Sequence, residues 1–379
     1  MASKPNQSLV PFRLAFDQQV FLLQQYGGIS RYVSNLAAQL SKTPGVGVRI
    51  IAPMHFNRHL PVLPSKVTWG MRVPRIPKTF RLVRAASELI ARKAMEIFHP
   101  HIVHETYYSK DAFAPKGARR VITVYDMISE RFPAEFAGSQ FTDAKRFAIS
   151  RADHVLCISE STRRDLIELF GIAAERTSVV YLGYDEFASS VAEEIGAPVG
   201  VGLRPYLLYV GSRGGYKNFG TLLNAFASSA YLRDDFSILC FGGGALVSEE
   251  LALVRQLGLS DIHVRQVGGN DAMLGSMYRG AAAFVYASLY EGFGIPPLEA
   301  MSLGCPVVCS NTTSIPEVVG EAGEYFDPAE PESLRDAIER VLQSSDRRRE
   351  LVTKGHVRRA LFSWERCASE TLAVYRSIL

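Results

Sequence analysis

The chain has 379 residues, of which 47% are hydrophobic and 21% charged, and a formal net charge of +4. That length allows two domains, and the composition is that of a globular protein. The charge is too small to argue for a nucleic-acid partner, and no run of eighteen apolar residues is present to span a bilayer. Strand-like and helix-like segments then alternate along the chain. Residues 13–16 read as a first strand, 29–40 as an amphipathic helix after Gly27-Gly28, and 48–52 as a second strand. A proline-rich loop and a basic stretch follow. Between Arg72 and Lys93 seven basic residues accompany one acidic residue, Glu88. Through the same region Leu82, Val83, Ala86, Leu89, Ile90 and Ile97 recur at helical spacing. Residues 72–93 therefore suit either an anionic membrane surface or a solvated outer helix laced by Arg84–Glu88 and Glu88–Arg92 pairs.

Short strands at 101–104 and 121–125, a helix at 141–151, a strand at 154–158, a helix at 161–170 and a strand at 179–182 complete the first half. Residues 188–203, rich in Gly, Ala and Ser, read as an interdomain linker. The second half has strands at 206–210, 236–241, 263–267, 281–287, 306–309 and 325–326. Helices at 218–227, 249–257, 297–303, 331–343 and 346–362 intervene, and a last helix occupies 364–379. Alternation of this kind predicts a parallel sheet covered by helices in each half, with a ligand cleft at the carboxyl ends of the strands. The first eight residues lack the apolar core of a signal peptide. The five cysteines are scattered without metal-ligand spacing, as expected of reduced core thiols in a cytoplasmic protein.

The strongest chemical signal is Tyr290-Glu291-Gly292-Phe293-Gly294-Ile295-Pro296-Pro297-Leu298-Glu299. A buried strand that passes through glycines into a helix presents free N–H groups to an anion, and Pro297 suits the first helical turn. Glu291 and Glu299 flank that turn. Ionised carboxylates only accept hydrogen bonds, which fits the hydroxyls of a sugar or ribose. Earlier, Gly211-Ser212-Arg213-Gly214-Gly215-Tyr216-Lys217 follows a strand and precedes a helix, the context for cradling a phosphate. Arg213 and Lys217 add the charge a departing diphosphate needs. In the first half, Gly27 and Gly28 permit close backbone approach but do not form a dinucleotide fingerprint. His104 and Asp126 each follow a short strand and are expected to face the cleft. Tyr125, beside Asp126, can hydrogen-bond a hydroxyl but is a poor base near neutral pH.

The string from Glu291 to Glu299 resembles the E-x7-E signature of the retaining glycosyltransferases of family 4, and the similarity continues through residues 303–309 and 314–320. It implies an α/β protein of GT-B fold: two Rossmann-like domains with parallel sheets facing a central cleft. Residues 1–190 would form the acceptor-side domain, 204–362 the donor domain, and helix 364–379 would pack back on the first. The implied activity moves a hexose from a nucleoside-diphosphate sugar to a hydroxyl of a glycan or lipid-linked acceptor in bacterial polysaccharide synthesis. It retains configuration and uses no metal or other cofactor. The resemblance puts Glu291 on the sugar and Glu299 on the ribose, with Lys217 and Arg213 on the diphosphate. Gly27, Gly28, Tyr125 and Gly292 to Ile295 line the donor site, and Asp126 and His104 join Glu291 at the reacting centre. The loop after Ile158, with Ser159, would touch substrate, and residues 267–270 would lie near the base. Two departures stand out. Ser212 occupies the family's usual arginine position, and Tyr125 stands where many relatives carry a histidine. GDP-mannose is the first choice of donor. The competing readings are a GT-B nucleotide-sugar epimerase, which needs no acceptor, and a non-catalytic nucleotide-sugar-binding subunit.

Overall fold

A computed structural model describes residues 11–136, 141–185 and 204–379. The predicted linker at 188–203 and the first eight residues lie outside the described residues. Seven strands make the first sheet: β1 (Phe12–Phe16), β2 (Val46–His55), β3 (Thr68–Arg72), β4 (Ile102–Glu105), β5 (Arg119–Val124), β6 (His154–Cys157) and β7 (Thr177–Val179). Their order is β3-β2-β1-β4-β5-β6-β7. The second sheet contains β8 (Tyr206–Val210), β9 (Ser237–Phe241), β10 (Val264–Val267), β11 (Ala283–Tyr286), β12 (Val307–Ser310) and β13 (Gly323–Phe326), ordered β10-β9-β8-β11-β12-β13. Every pairing in both sheets is parallel. In each sheet the strand order reverses direction at one point, between β1 and β4 and between β8 and β11. Such a switch point opens a crevice outside the strand ends, because the loops on its two sides diverge.

The central strands are buried on both faces, which is why they read as continuous apolar runs. The edge strand β3 was not legible in the sequence. Prolines flank it, and Gly70, at φ 142°, lets it lie against β2; a Cβ there would come within 1.7 Å of the Ala52 carbonyl oxygen.

The basic helix spans Phe80–Phe98. It docks through Ser87, Ala91 and Met95, while Leu82 and Leu89 are 73% exposed and Ile97 72%. Of the apolar residues that marked it as amphipathic, Leu82, Leu89, Ile90 and Ile97 thus face outward, while Val83 and Ala86 are partly buried. Of the two predicted ladder pairs, Arg84–Glu88 is present at 2.6 Å. Arg92 instead reaches the Ala112 carbonyl at 2.8 Å and Asp111 at 3.9 Å.

The last helix, Trp364–Ser377, crosses back onto the first domain. Its Trp364 indole donates to Asp185 at 2.7 Å, and Gln39 on helix Gly28–Leu40 donates to Glu365 at 2.9 Å. All five cysteines are buried with free thiols. Among the described residues, no helix is long and apolar enough to cross a membrane.

Candidate active site in the interdomain cleft

The loops that leave β8 and β11, at the second switch point, carry Lys217 and Glu291. Lys217 ends a short helical turn, Gly215–Lys217, and its Nζ lies 2.7 Å from Glu291 Oε1. The Ser288 hydroxyl donates to the same oxygen at 2.6 Å. The loop's backbone is equally fixed: the Glu291 N–H donates to Thr313 Oγ1 at 3.1 Å. Ser314 Oγ lies 2.8 Å from both the Glu291 and Phe293 carbonyl oxygens. The side chain of Glu291 is only 10% exposed, so its partners set its orientation.

Helix Ile295–Ser302 starts two residues before the predicted position, because the chain turns at Gly294, φ 126°, and Pro296 already sits in the first turn. Pro296 and Pro297 carry no N–H, so the donors left open at this terminus are those of Gly294 and Ile295. Gly294, Ile295 and Pro296 line the cleft cavity, which places the positive dipole end of the helix on it. Gly292 presses against the other domain: a Cβ there would come within 1.9 Å of the Tyr125 carbonyl oxygen. At this point the two domains meet backbone to backbone.

A cavity of about 500 Å³ occupies the cleft. Gly28, Arg31, Tyr125 and Asp126 line it from the first domain, and Lys217, Glu299 and the segment from Glu291 to Pro296 from the second. A neighbouring cavity of about 980 Å³ shares Gly28 and Arg31 and also has Gly27, His59, Gly269 and Asn270 on its walls. Glu299 is half-buried, and that burial raises its pKa to about 7. The Tyr278 hydroxyl, donating at 3.2 Å, and the charge of Arg31 act in the opposite direction. Asp126 is likewise raised by burial, opposed chiefly by Lys145. Lys145 is fully buried and donates to the Asp126 carbonyl at 3.0 Å and to Glu130 at 2.8 Å.

Two family models cover these domains: "Glycosyltransferase Family 4" matches residues 26–186, and "Glycosyl transferases group 1" matches residues 191–358. The O-antigen chain mannosyltransferase B of Escherichia coli is 31% identical over 71% of this chain and 74% of its own length. The chain belongs to the family 4 glycosyltransferases. The MMP alpha-(1->4)-mannosyltransferase of Mycolicibacterium hassiacum is 28% identical across 97% of this chain and 91% of that protein. Among solved structures, the sucrose-phosphate synthase of Thermosynechococcus elongatus superposes with a TM-score of 0.71 at 20% identity, covering 97% and 99% of the two chains. Anabaena HepE, solved with UDP and glucose, gives 0.70 at 18% identity, covering 97% and 100%. At such low identity these two likenesses show the GT-B fold alone.

For this glycosyltransferase, the structure brings Gly28, Tyr125, Asp126, Lys217, Glu291 to Ile295 and Glu299 to one cavity, and Gly27 to the adjoining one. Three expectations need correction. His104 does not face the cleft. It lies within β4, fully buried, between the Tyr375 hydroxyl at 2.5 Å from Nδ1 and Thr123 Oγ1 at 2.9 Å from Nε2. Burial pushes its pKa down to about 3, so it is a neutral link between the crossover helix and the first sheet.

Arg213 is absent from both cavity walls. Its guanidinium bonds Glu250 at 3.0 Å and the carbonyls of Gly242, Gly244 and Ala245 at 2.9–3.1 Å. Standing one residue beyond the family's arginine position, it staples the loop after β9 rather than facing a ligand. Ser159 is the third correction. It is buried as the N-cap of helix Glu160–Phe170, accepting from the Thr162 N–H at 3.0 Å.

The Tyr125 phenol is buried edge-on against Tyr32, with ring centroids 5.7 Å apart, and its pKa is raised well above the usual value by burial. It cannot serve as a base. Arg31 received no role from the sequence although it lines both cavities, held by Asp185. The available signal was a cation in the first turn of a helix, where the dipole disfavours positive charge unless an anion is present.

Proposed function

We propose that the cleft binds a nucleoside-diphosphate hexose, with GDP-mannose the first choice, and transfers the hexose with retained configuration to a hydroxyl of a glycan or lipid-linked acceptor. The observation that carries the reading is the Lys217–Glu291 pair beside the open N-terminus of helix Ile295–Ser302, with Glu299 farther along the same helix. The diphosphate lies on that helix terminus and Lys217, which meet the negative charge that develops as the C1–oxygen bond breaks. Glu291 accepts hydrogen bonds from the sugar hydroxyls and stabilises positive charge at C1. Glu299 accepts from the ribose. The acceptor oxygen bonds to C1 on the face the diphosphate leaves, and its proton passes to the departing diphosphate oxygen. Asp126, on the opposite wall, orients the acceptor or the sugar. No step requires a metal ion in this scheme, because Lys217 and the helix terminus supply the positive charge.

The sugar choice is supported by the mannosyltransferase relatives. We also assign the outer face of helix Phe80–Phe98 to an anionic membrane surface. It combines exposed Leu82, Leu89 and Ile97 with Arg81, Arg92 and Lys93, which matches a lipid-linked acceptor. The test of the main reading is a thermal-shift screen of nucleotide sugars, followed by transfer assays with the stabilising donor. Stabilisation by one diphosphate sugar and label transfer to an added glycan support it. Conversion of the donor to its epimer with no acceptor present overturns it.

A further inference from the structure

Both chain neighbours of Glu291 are bonded to the other domain, and to the same helix. Helix Glu160–Phe170 belongs to the first domain, following β6. From it, Thr162 Oγ1 donates to the Gly292 carbonyl at 3.3 Å, and Asp165 accepts the Tyr290 hydroxyl. The helix is also gripped at its N-terminus. Glu317 of the second domain accepts from the Glu160 N–H through one carboxylate oxygen and from the Ser161 N–H through the other, each at 2.7 Å.

Glu317 is tied in turn to the loop of Glu291. It lies on the short helix Ile315–Val319, whose preceding residues Thr313 and Ser314 hold the Glu291 and Phe293 backbone. Arg358 fixes the far side by donating to the Glu317 and Val318 carbonyls. A closed circuit results. It runs from helix 160–170 through Thr162 and Asp165 to residues 290–292, and back through Glu317 and residues 313–314.

We infer that helix Glu160–Phe170 is the element by which closure of the two domains fixes the position of Glu291, with Thr162, Asp165 and Glu317 as its positioning residues. None of the three lines the cleft cavity, so they act through Glu291 rather than on a ligand. The physical reason is that the 290–292 segment is a loop with glycine at 292. Its own domain restrains it through Thr313, Ser314 and Lys217, and a glycine-containing loop keeps backbone freedom that further bonds remove. When the domains part, both flanking bonds and the Glu317 cap are lost together.

The importance for transfer rests on the role proposed for Glu291, but the coupling itself can be read without any substrate. The experiment is amide hydrogen exchange on the full chain, comparing wild type with Glu317→Ala and Thr162→Val. Coupling predicts faster exchange at Glu160 and Ser161 in Glu317→Ala and, in both variants, at least about tenfold faster exchange through 289–294. Exchange in β1 and β8 should be unchanged. Faster exchange confined to Glu160 and Ser161 makes Glu317 a mere helix cap and overturns the inference. A uniform rise that includes β1 and β8 reports lost stability and also overturns it. If the exchange result holds while no nucleotide sugar binds or reacts, the coupling stands and the proposed function fails.

Discussion

Glu299 offers a quantitative test, since its charge state is set by its surroundings. Burial lifts its pKa to about 7 from an ordinary value of 4.5, with Asp271 and Asp185 acting the same way and Tyr278 and Arg31 opposing them. The sign follows directly. In the unliganded protein the folded state holds this proton more tightly than the unfolded chain. Its contribution to stability is therefore present below pH 4.5 and lost as pH rises through about 7. Donor binding runs the other way, because ribose hydroxyls need the ionised carboxylate as acceptor.

The ionised fraction rises from about one tenth at pH 6 to about nine tenths at pH 8, so donor affinity should improve about tenfold, or about 1.4 kcal/mol. A nucleotide sugar is the proper ligand, since its diphosphate is esterified at both ends and does not titrate in this window. The assay is calorimetric titration at pH 6, 7 and 8 with wild type and Glu299→Gln. Wild type should show the pH dependence and the glutamine variant should lose it. A flat wild-type profile, or an equal slope in Glu299→Gln, refutes the assignment of Glu299 to the donor.

Glu291→Ala should lower transfer by roughly two to four orders of magnitude while circular dichroism reports an intact fold; near-normal turnover in that variant sinks its role. Lys217→Ala should weaken the nucleotide sugar about tenfold or more, read by the same titration, because a cation against the diphosphate is lost. Gly292→Ala forces a methyl group to within 1.9 Å of the Tyr125 carbonyl, so the domains must part. X-ray scattering should show a larger radius of gyration, with donor affinity falling in step. His104→Phe should cost about 1–3 kcal/mol of stability in denaturant titration by orphaning the Tyr375 hydroxyl, while Thr123 keeps its bond to the Tyr32 hydroxyl at 3.2 Å, and should leave donor affinity unchanged. Added chelator should not alter turnover.

The sequence was informative where function and local geometry coincide. Glu291, Gly294 and Glu299 declared themselves because a strand, a glycine turn and a proline-started helix can be read from spacing alone. The alternation that predicts two parallel sheets was legible for the same reason. His104 reads as a residue at the strand's carboxyl end, but β4 runs to Glu105, which leaves the imidazole inside the sheet instead of beyond it. Arg213 misled because a glycine-rich loop does not reveal which way its side chains point. The carbonyls of Gly242, Gly244 and Ala245 that capture it come from a distant segment. Helix Phe80–Phe98 shows a further limit. Its docking face is Ser87, Ala91 and Met95, two of them small, so the large apolar side chains Leu82, Leu89 and Ile97 marked the outer side. Glu317 lies within the family-like stretch 314–320, but its partners, two amides of another domain, depend on tertiary placement.

The most direct measurement of the central claim is a crystal structure of the protein with a non-hydrolysable nucleotide sugar. Diphosphate oxygens should lie within about 3 Å of Lys217 Nζ and of the Gly294 and Ile295 N–H groups at the start of helix Ile295–Ser302. The ribose should lie on Glu299 and the hexose between Asp126 and Glu291. A nucleotide bound outside the cleft, or one whose sugar lies away from Glu291, contradicts the claim.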